Sequence, residues 1–303
     1  MNIFYKRNTE NNRKMRTGIM RAVDLHTHST ASDGTYTPGK LIDYAHEKGL
    51  AAIALTDHDT TNGLKEAMER GQKYDDLEVI PGIEFSTDYE GRDIHIVGLY
   101  MRFEDTDVQK RLKEFVDARI MRNKKMCKLL TENGVPMDFD ELQAAYPNSV
   151  ITRAHYAAYM LDKGVIKSRQ EAFDRYIGDN CKCFVPRQKI TPQMAVEMTL
   201  DAGGVPILAH PVLYGMSDSR LRKLVGELKE VGLKGIEAIY TTYTNSDERD
   251  IRQIAQDYGL LISGGSDFHG DNKPDIDLGV GYGQLFVPEA VLDKIKESLS
   301  KRS

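Results

Sequence analysis

The stretch Val23-Asp24-Leu25-His26-Thr27-His28-Ser29, running on to Asp33-Gly34, decides how this chain reads. It is a short apolar run that ends in two histidines spaced two apart. Residues i and i+2 of a strand face the same side, so His26 and His28 can aim both imidazoles at one point. Such a pair chelates a metal ion without needing a helix. A surface strand can also carry two histidines with no ligand role. The metal reading therefore requires more ligands of the same chemical type at other strand ends.

Working outward, short apolar strands alternate with helical stretches. Strands are expected over 23–26, 50–56, 77–83 and 93–101, the last paired with 85–89 through the turn Glu90-Gly91. Helices fill 38–48 and 62–74. This alternation predicts a parallel sheet or barrel. From 106 the pattern changes: one long helical segment runs to 133, followed by shorter helices at 138–146, 152–163 and 168–177, with Thr152 and Ser168 as N-caps. Alternation resumes at Thr191-Pro192, a cap with proline at the first helical position. Strands follow at 205–209, 235–239 and 260–263, with 285–287 as a further short candidate and a closing helix at 288–299. The expected architecture is an α/β barrel of about seven strands, 22–103 plus 188–303. A helical cap is inserted at 104–187, and residues 1–21 form a disordered extension.

The chain has eight histidines. His46 lies inside a helical stretch and reads as a surface residue, while the others adjoin strand ends, acidic residues or glycine turns. Thr56-Asp57-His58-Asp59 follows the second strand. Gly82-Ile83-Glu84 puts a carboxylate at the end of the third. His95 lies in the next apolar strand, and His210 ends another. Asp267-Phe268-His269 repeats the i, i+2 geometry of the opening pair. Singly, each has a plain reading: Asp57 and Asp59 as helix caps, His95 and His210 as hydrogen-bonded core residues. Jointly they do not, because the C-terminal strand ends of an α/β barrel converge on one face. Nine ligand candidates result: His26, His28, Asp33, His58, Glu84, His95, His210, Asp267 and His269. An open catalytic site on one ion uses about three protein ligands, so nine suit two or three ions, with Glu84 able to bridge two. Imidazole and carboxylate without thiolate suit Mn²⁺, Zn²⁺ or Fe²⁺. Closely spaced ions serve phosphoester hydrolysis.

These motifs together resemble the PHP (polymerase and histidinol phosphatase) family. They are Asp24-Leu25-His26-Thr27-His28-Ser29 with Ser32-Asp33-Gly34, Leu55-Thr56-Asp57-His58-Asp59, Gly82-Ile83-Glu84, His95, Ala209-His210-Pro211 and Gly265-Ser266-Asp267-Phe268-His269-Gly270. The resemblance implies a distorted seven-stranded (β/α) barrel with a trinuclear centre, Mn²⁺ first among the candidate metals, and phosphoesterase activity. It implies one ion at His26, His28, Glu84 and Asp267, a second at Glu84, His95 and His210, and a third at Asp33, His58 and His269. Hydroxide bridging two ions would attack phosphorus.

Within the family the chain looks most like the stand-alone branch that removes the 3′-phosphate of nucleoside 3′,5′-bisphosphates or releases nucleotides from short 5′-phosphorylated RNA. Thr152-Arg153-Ala154-His155 resembles that branch's Arg-Pro-His motif, with alanine in place of proline. The resemblance implies phosphate binding by Arg153 and His155, helped by Arg187, with His155 or a water on the third ion able to protonate the leaving oxygen; as plain alternatives His155 is a fourth ligand or a packing residue. Two alternatives keep the barrel: a phosphatase of another small phosphoester such as histidinol phosphate, or a metal-dependent amidohydrolase. The latter has no use for Asp33, His58 and His269. A non-catalytic metal-stabilised module would carry a closed, Cys-rich site.

Bulk properties set the remaining bounds. A net charge of −5 over 303 residues gives no global basic field and argues against binding long nucleic acid. No apolar run approaches the roughly 20 residues that span a bilayer. The first 22 residues are polar and basic, without the apolar core of a secretory signal. Three cysteines, Cys127, Cys181 and Cys183, make no disulfide framework. A cytoplasmic enzyme acting on a small phosphorylated substrate is the expectation, with oligomeric state left open.

Overall fold

The computed structural model describes residues 20–179, 181–186 and 190–300. Strand β1 (Val23–Thr27) leads through helix α1 (Pro38–Glu47) to β2 (Ala52–Leu55), which pairs in parallel with β1. Helix α2 (Leu64–Gly71) leads to β3 (Glu78–Tyr89), parallel to β2. β3 then turns tightly into β4 (Arg92–Leu99), its antiparallel partner. Glu90 and Gly91 both take positive φ, 53° and 78°, as a two-residue hairpin turn with the twist of its strands requires.

The chain next builds the cap from α3 (Thr106–Glu132), α4 (Phe139–Ala145), α5 (Arg153–Asp162) and α6 (Arg169–Ala172), which runs into a π turn, Phe173–Ile177. Helix α7 (Pro192–Asp201) returns to the barrel and β5 (Val205–Leu208). There follow α8 (Asp218–Glu230), β6 (Gly235–Tyr240), α9 (Asn245–Asp257), β7 (Leu261–Gly265) and α10 (Glu289–Ser300). Side-chain oxygens of Thr37, Asp138, Ser168, Thr191 and Ser217 accept amides at the starts of their helices.

The seven strands lie in sequence order. Their ends meet where Thr27 bridges Phe268, with His28 N donating to Phe268 O (3.0 Å) and Asp267 N to His26 O (2.9 Å). The sheet is thus a nearly closed barrel. β2 and β5 are buried at every position, which is why they read as continuous apolar runs rather than alternating ones.

Four details depart from the sequence reading. Glu84 is not at a strand end: pairing with β2 stops at Leu55–Pro81, but β3 continues in the hairpin to Tyr89. β4 runs antiparallel to both neighbours, so His95 reaches the site from near its strand's start. Residues 285–287 add no strand, because Val287 contributes one carbonyl to Val23 N (2.9 Å) and an isolated bridge follows at Pro288. The proposed N-terminal extension lies outside the described residues up to 19. Arg21 is fixed on the barrel, donating to Leu50 O (2.6 Å) and Asp76 O (2.8 Å).

Helix α3 belongs to two cores. Val108, Leu112 and Phe115 pack with Phe85 and Ile96 of the barrel. Met126, Cys127 and Leu130 pack with Leu142, Tyr156 and Met160 of the cap.

Candidate metal centre

All nine ligand candidates converge. β1 carries His26, and His28 follows directly after its last residue, Thr27; both are fully buried. Glu84, 1% exposed, sits at the middle. Its Oε1 is 2.7 Å from His95 Nδ1 and 2.9 Å from His210 Nε2. Its Oε2 is 3.3 Å from His26 Nε2, 3.2 Å from His28 Nε2 and 3.0 Å from His58 Nδ1. Asp267 Oδ1 lies 3.2 Å from His28 Nε2 and 3.4 Å from His269 Nδ1. Asp33 Oδ1 lies 3.3 Å from His269 Nε2, and its Oδ2 lies 3.9 Å from His58 Nε2.

The donor atoms form four overlapping groups, each within 4.8 Å: His28, Asp33, His58 and His269; His26, Glu84 and His210; His26, His28 and Asp267; His58, Glu84 and His95. The donor set is six imidazoles and three carboxylates, without thiolate, the chemistry that suits Mn²⁺, Zn²⁺ or Fe²⁺. His26 Nε2, His28 Nε2, Asp33 Oδ1 and His210 Nδ1 are buried and have no hydrogen-bond partner. Buried polar atoms normally find partners. All four belong to residues of the groups that could hold ions. The residues present therefore fit divalent metal.

The electrostatics follow from this crowding. Burial alone would raise the pKa of Glu84, but His58, His95 and His26 outweigh it and hold the carboxyl well below its usual range. Asp267 is likewise ionised against its burial, by Lys273 and His269. His58 is held well below the ordinary imidazole value by burial. His269 is lowered too, by burial and Lys273. Both can offer lone pairs.

Supporting residues that motif reading passed over complete the site. Asp57 accepts Ser29 N (2.8 Å) and both the Ser29 and Ser32 hydroxyls (2.6 Å each), fixing the loop that carries Asp33. Asp24 accepts Ser266 N (2.9 Å) and Gly279 N (2.8 Å), locking β1 to the segment after β7. Burial pushes the Asp24 carboxyl up to about 6 despite these bonds. There is no room to loosen this seam, since a Cβ on Gly265 would lie 2.5 Å from that of His26. Glu237 contacts His26 Nδ1 (3.2 Å). Thr152 Oγ1 donates to Asp33 Oδ2 (2.7 Å), joining cap to ligand. The available signal was a charged residue in an otherwise apolar strand, which Glu237 is. Asp57 reads from sequence as a helix cap, and Asp24 lies in the opening motif with no role assigned to it.

Tyr240 OH and Lys273 Nζ both donate to Asp267 Oδ2, each at 2.6 Å. That leaves Oδ1 turned toward the histidines. Losing both donors, in Tyr240→Phe with Lys273→Met, is expected to weaken metal affinity about 10–100-fold. Calorimetric titration of the metal-free protein checks this, and unchanged affinity would show that the two donors do not orient Asp267.

The expected substrate residues lie at the cap edge. Arg153 Nη2 is 3.0 Å from Asp93 Oδ2 and Nη1 is 2.6 Å from Asp179 Oδ1. Its guanidinium also lies 5.4 Å from the centre of the Phe184 ring. Asp93 Oδ1 in turn approaches His95 Nε2 (3.6 Å). His155 is buried and its Nδ1 accepts Thr152 N (3.0 Å), so it closes the cap of α5. Its ring packs at a tilt against Tyr146, and burial drops its pKa to about 4. Arg187 lies outside the described residues. His46 is a surface residue stacked on Tyr74.

Comparison with known proteins gives a consistent picture. The PHP domain family model matches residues 24–189. A 5′-3′ exoribonuclease of Haemophilus influenzae is 37% identical over 83% of this chain and 91% of its own length. A 3′,5′-nucleoside bisphosphate phosphatase of Chromobacterium violaceum is 31% identical, over 86% and 91%. Among solved structures, an amidohydrolase of Chromobacterium violaceum with bound sulfate superposes with a TM-score of 0.81 at 29% identity, covering 91% of this chain and 96% of that one. A Bifidobacterium adolescentis protein assigned as a metal-dependent phosphoesterase gives 0.79 at 27%, covering 91% and 95%.

Proposed function

The chain belongs to the PHP domain family, and from that premise we propose that its substrates are nucleotide phosphomonoesters, with the 3′-phosphate of nucleoside 3′,5′-bisphosphates first and short 5′-phosphorylated RNA second. It is an enzyme, a metal-dependent phosphoesterase. The observation that carries this reading is the convergence of three carboxylates and six imidazoles around Glu84. Two or three divalent ions, Mn²⁺ first, would be held there. His26, His28 and Asp267 would serve one ion with Glu84 Oε2. His95 and His210 would serve a second with Glu84 Oε1. Asp33, His58 and His269 would serve a third. Bound ions of this kind activate water and neutralise charge developing on phosphoryl oxygens.

The protein's own contribution is to orient and select. Burial strengthens each electrostatic contact at the centre. Arg153, whose planar fork suits phosphate as well as carboxylate, is the candidate for the phosphate that is not cleaved, which would exchange with Asp93 and Asp179. His155 serves better as a helix cap linking α5 to the Asp33 loop than as a proton donor, because its Nδ1 accepts Thr152 N and burial favours the neutral ring. Among the described residues no helix is long and apolar enough to cross a membrane.

A phosphate-release screen tests the substrate class, using nucleotides, 3′,5′-bisphosphates and short 5′-phosphorylated RNAs on chelator-stripped protein with and without Mn²⁺. Release is expected only after add-back and chiefly from the bisphosphates. Undiminished turnover in stripped protein would sink the metal requirement. Hydrolysis of cyclic amides with none of the phosphoesters would sink the substrate class.

A further inference from the structure

Glu237 is the third residue of β6, in Gly235-Ile236-Glu237-Ala238-Ile239-Tyr240, a strand buried at every position. It is 2% exposed itself. A carboxylate so placed is costly unless charge or hydrogen bonds surround it. Its ion-pair partner among the described residues is His26, whose Nδ1 lies 3.2 Å from Oε1 and 3.4 Å from Oε2. Its Oε2 also accepts the backbone N–H of His210 at 2.8 Å. That backbone is strained: His210 takes φ 26° and ψ 52°, and Pro211 follows at the start of a 3₁₀ turn. Glu237 belongs to none of the four ligand groups.

We propose that Glu237 is a positioning residue for the metal centre, holding the ring of one ligand histidine and the backbone of another so that both reach Glu84. Facing Nδ1 of His26, the carboxylate fixes the proton on that nitrogen and leaves the Nε2 lone pair for an ion. This Nε2 is buried, has no hydrogen-bond partner, and lies 3.3 Å from Glu84 Oε2. Holding the His210 amide keeps the strained turn in register, with His210 Nε2 2.9 Å from Glu84 Oε1. One carboxylate thereby aligns ligands on both oxygens of the bridging residue. A side chain 211 positions from His26 does this because β6 pairs with β5, which leads into His210, and because barrel closure brings β1 round to the end of β7, the other neighbour of β6.

The inference rests on the metal-centre reading, and the test separates the two. Metal-free wild type, Glu237→Gln and Glu237→Asp are titrated with Mn²⁺, free ion being followed by its electron paramagnetic resonance signal, and each apoprotein is melted. Glutamine keeps the shape but cannot accept from both partners with both ends; aspartate keeps the charge but is too short to reach both. The expectation is an apoprotein melt close to wild type for Gln, affinity about 10–100-fold weaker, and Asp intermediate. Wild-type affinity in the Gln variant would overturn the positioning role. So would apoproteins that fail to fold without the glutamate, since the residue would then be structural. No binding by wild type would overturn the metal reading itself.

Discussion

Replacing Glu84 by Gln is expected to cut kcat/KM for phosphoester hydrolysis by at least about a thousandfold, or about 4 kcal/mol of transition-state stabilisation. No other residue reaches so many candidate ligands. Oε1 touches His95 and His210, while Oε2 touches His26, His28 and His58. Glu84 is also shared by two of the four ligand groups. An amide there offers one neutral acceptor and turns an N–H toward imidazoles, so it neither bridges two ions nor balances their charge. Metal content should fall together with activity. Circular dichroism should show the barrel intact, because the carboxylate is surrounded by site residues rather than core. Steady-state kinetics with elemental analysis of the purified variant checks this. A variant with full metal content and activity within tenfold of wild type would remove Glu84 from the centre.

The second large effect concerns stability. Arg119→Met is expected to cost about 3–5 kcal/mol, the usual consequence of removing one partner of a buried ion pair. Arg119, on α3, is 2% exposed and Asp59 is 1% exposed. Arg119 Nε donates to Asp59 Oδ2 at 2.8 Å, and Nη2 donates to Ser86 Oγ at 3.0 Å. Ser86 Oγ lies 3.3 Å from His58 Nδ1, so the pair ties the cap helix to a candidate ligand. Asp59 also accepts Ser86 N at 2.8 Å and holds φ at 52°, a conformation that aspartate tolerates better than most residues. Adding Asp59→Asn to Arg119→Met removes the uncompensated charge and should recover part of the loss. Chemical denaturation of both variants measures this. A single variant within 1 kcal/mol of wild type, or a double variant less stable than the single, would show that the pair is not what holds the cap.

Much of the barrel and all nine candidate ligands were legible in the sequence for one physical reason. Strand periodicity and strand-end placement are local properties. His26-Thr27-His28 announces itself because positions i and i+2 share a face in a strand; Asp267-Phe268-His269 has the same spacing, but β7 ends at Gly265 and Asp267 takes φ 57°, so it converges through the loop after the strand. Burial on both sides leaves apolar runs such as Ala52–Leu55 that need no partner to be recognised. The Glu90-Gly91 turn identified the hairpin in the same way.

Local pattern could not carry direction or distant pairing. The hairpin already set β4 against β3, but its apolar look is the same whether it runs with or against β5, and that antiparallel pairing was decided only by the ladder. Glu84 looked like the end of a strand because the apolar run stops there, yet the hairpin carries the strand to Tyr89.

The sequence by itself therefore determined the ligand chemistry: which imidazoles and carboxylates exist, and that they belong on or just beyond the strands of an α/β barrel. Only the tertiary structure decided which oxygen meets which nitrogen, and which residues hold them there. Glu237 on His26 across 211 residues, Thr152 on Asp33 across 119, and Arg119 on Asp59 across 60 are contacts between segments with no shared periodicity. They exist because closing the sheet and folding the cap over its open end bring buried charges together, and each such charge must then find a partner.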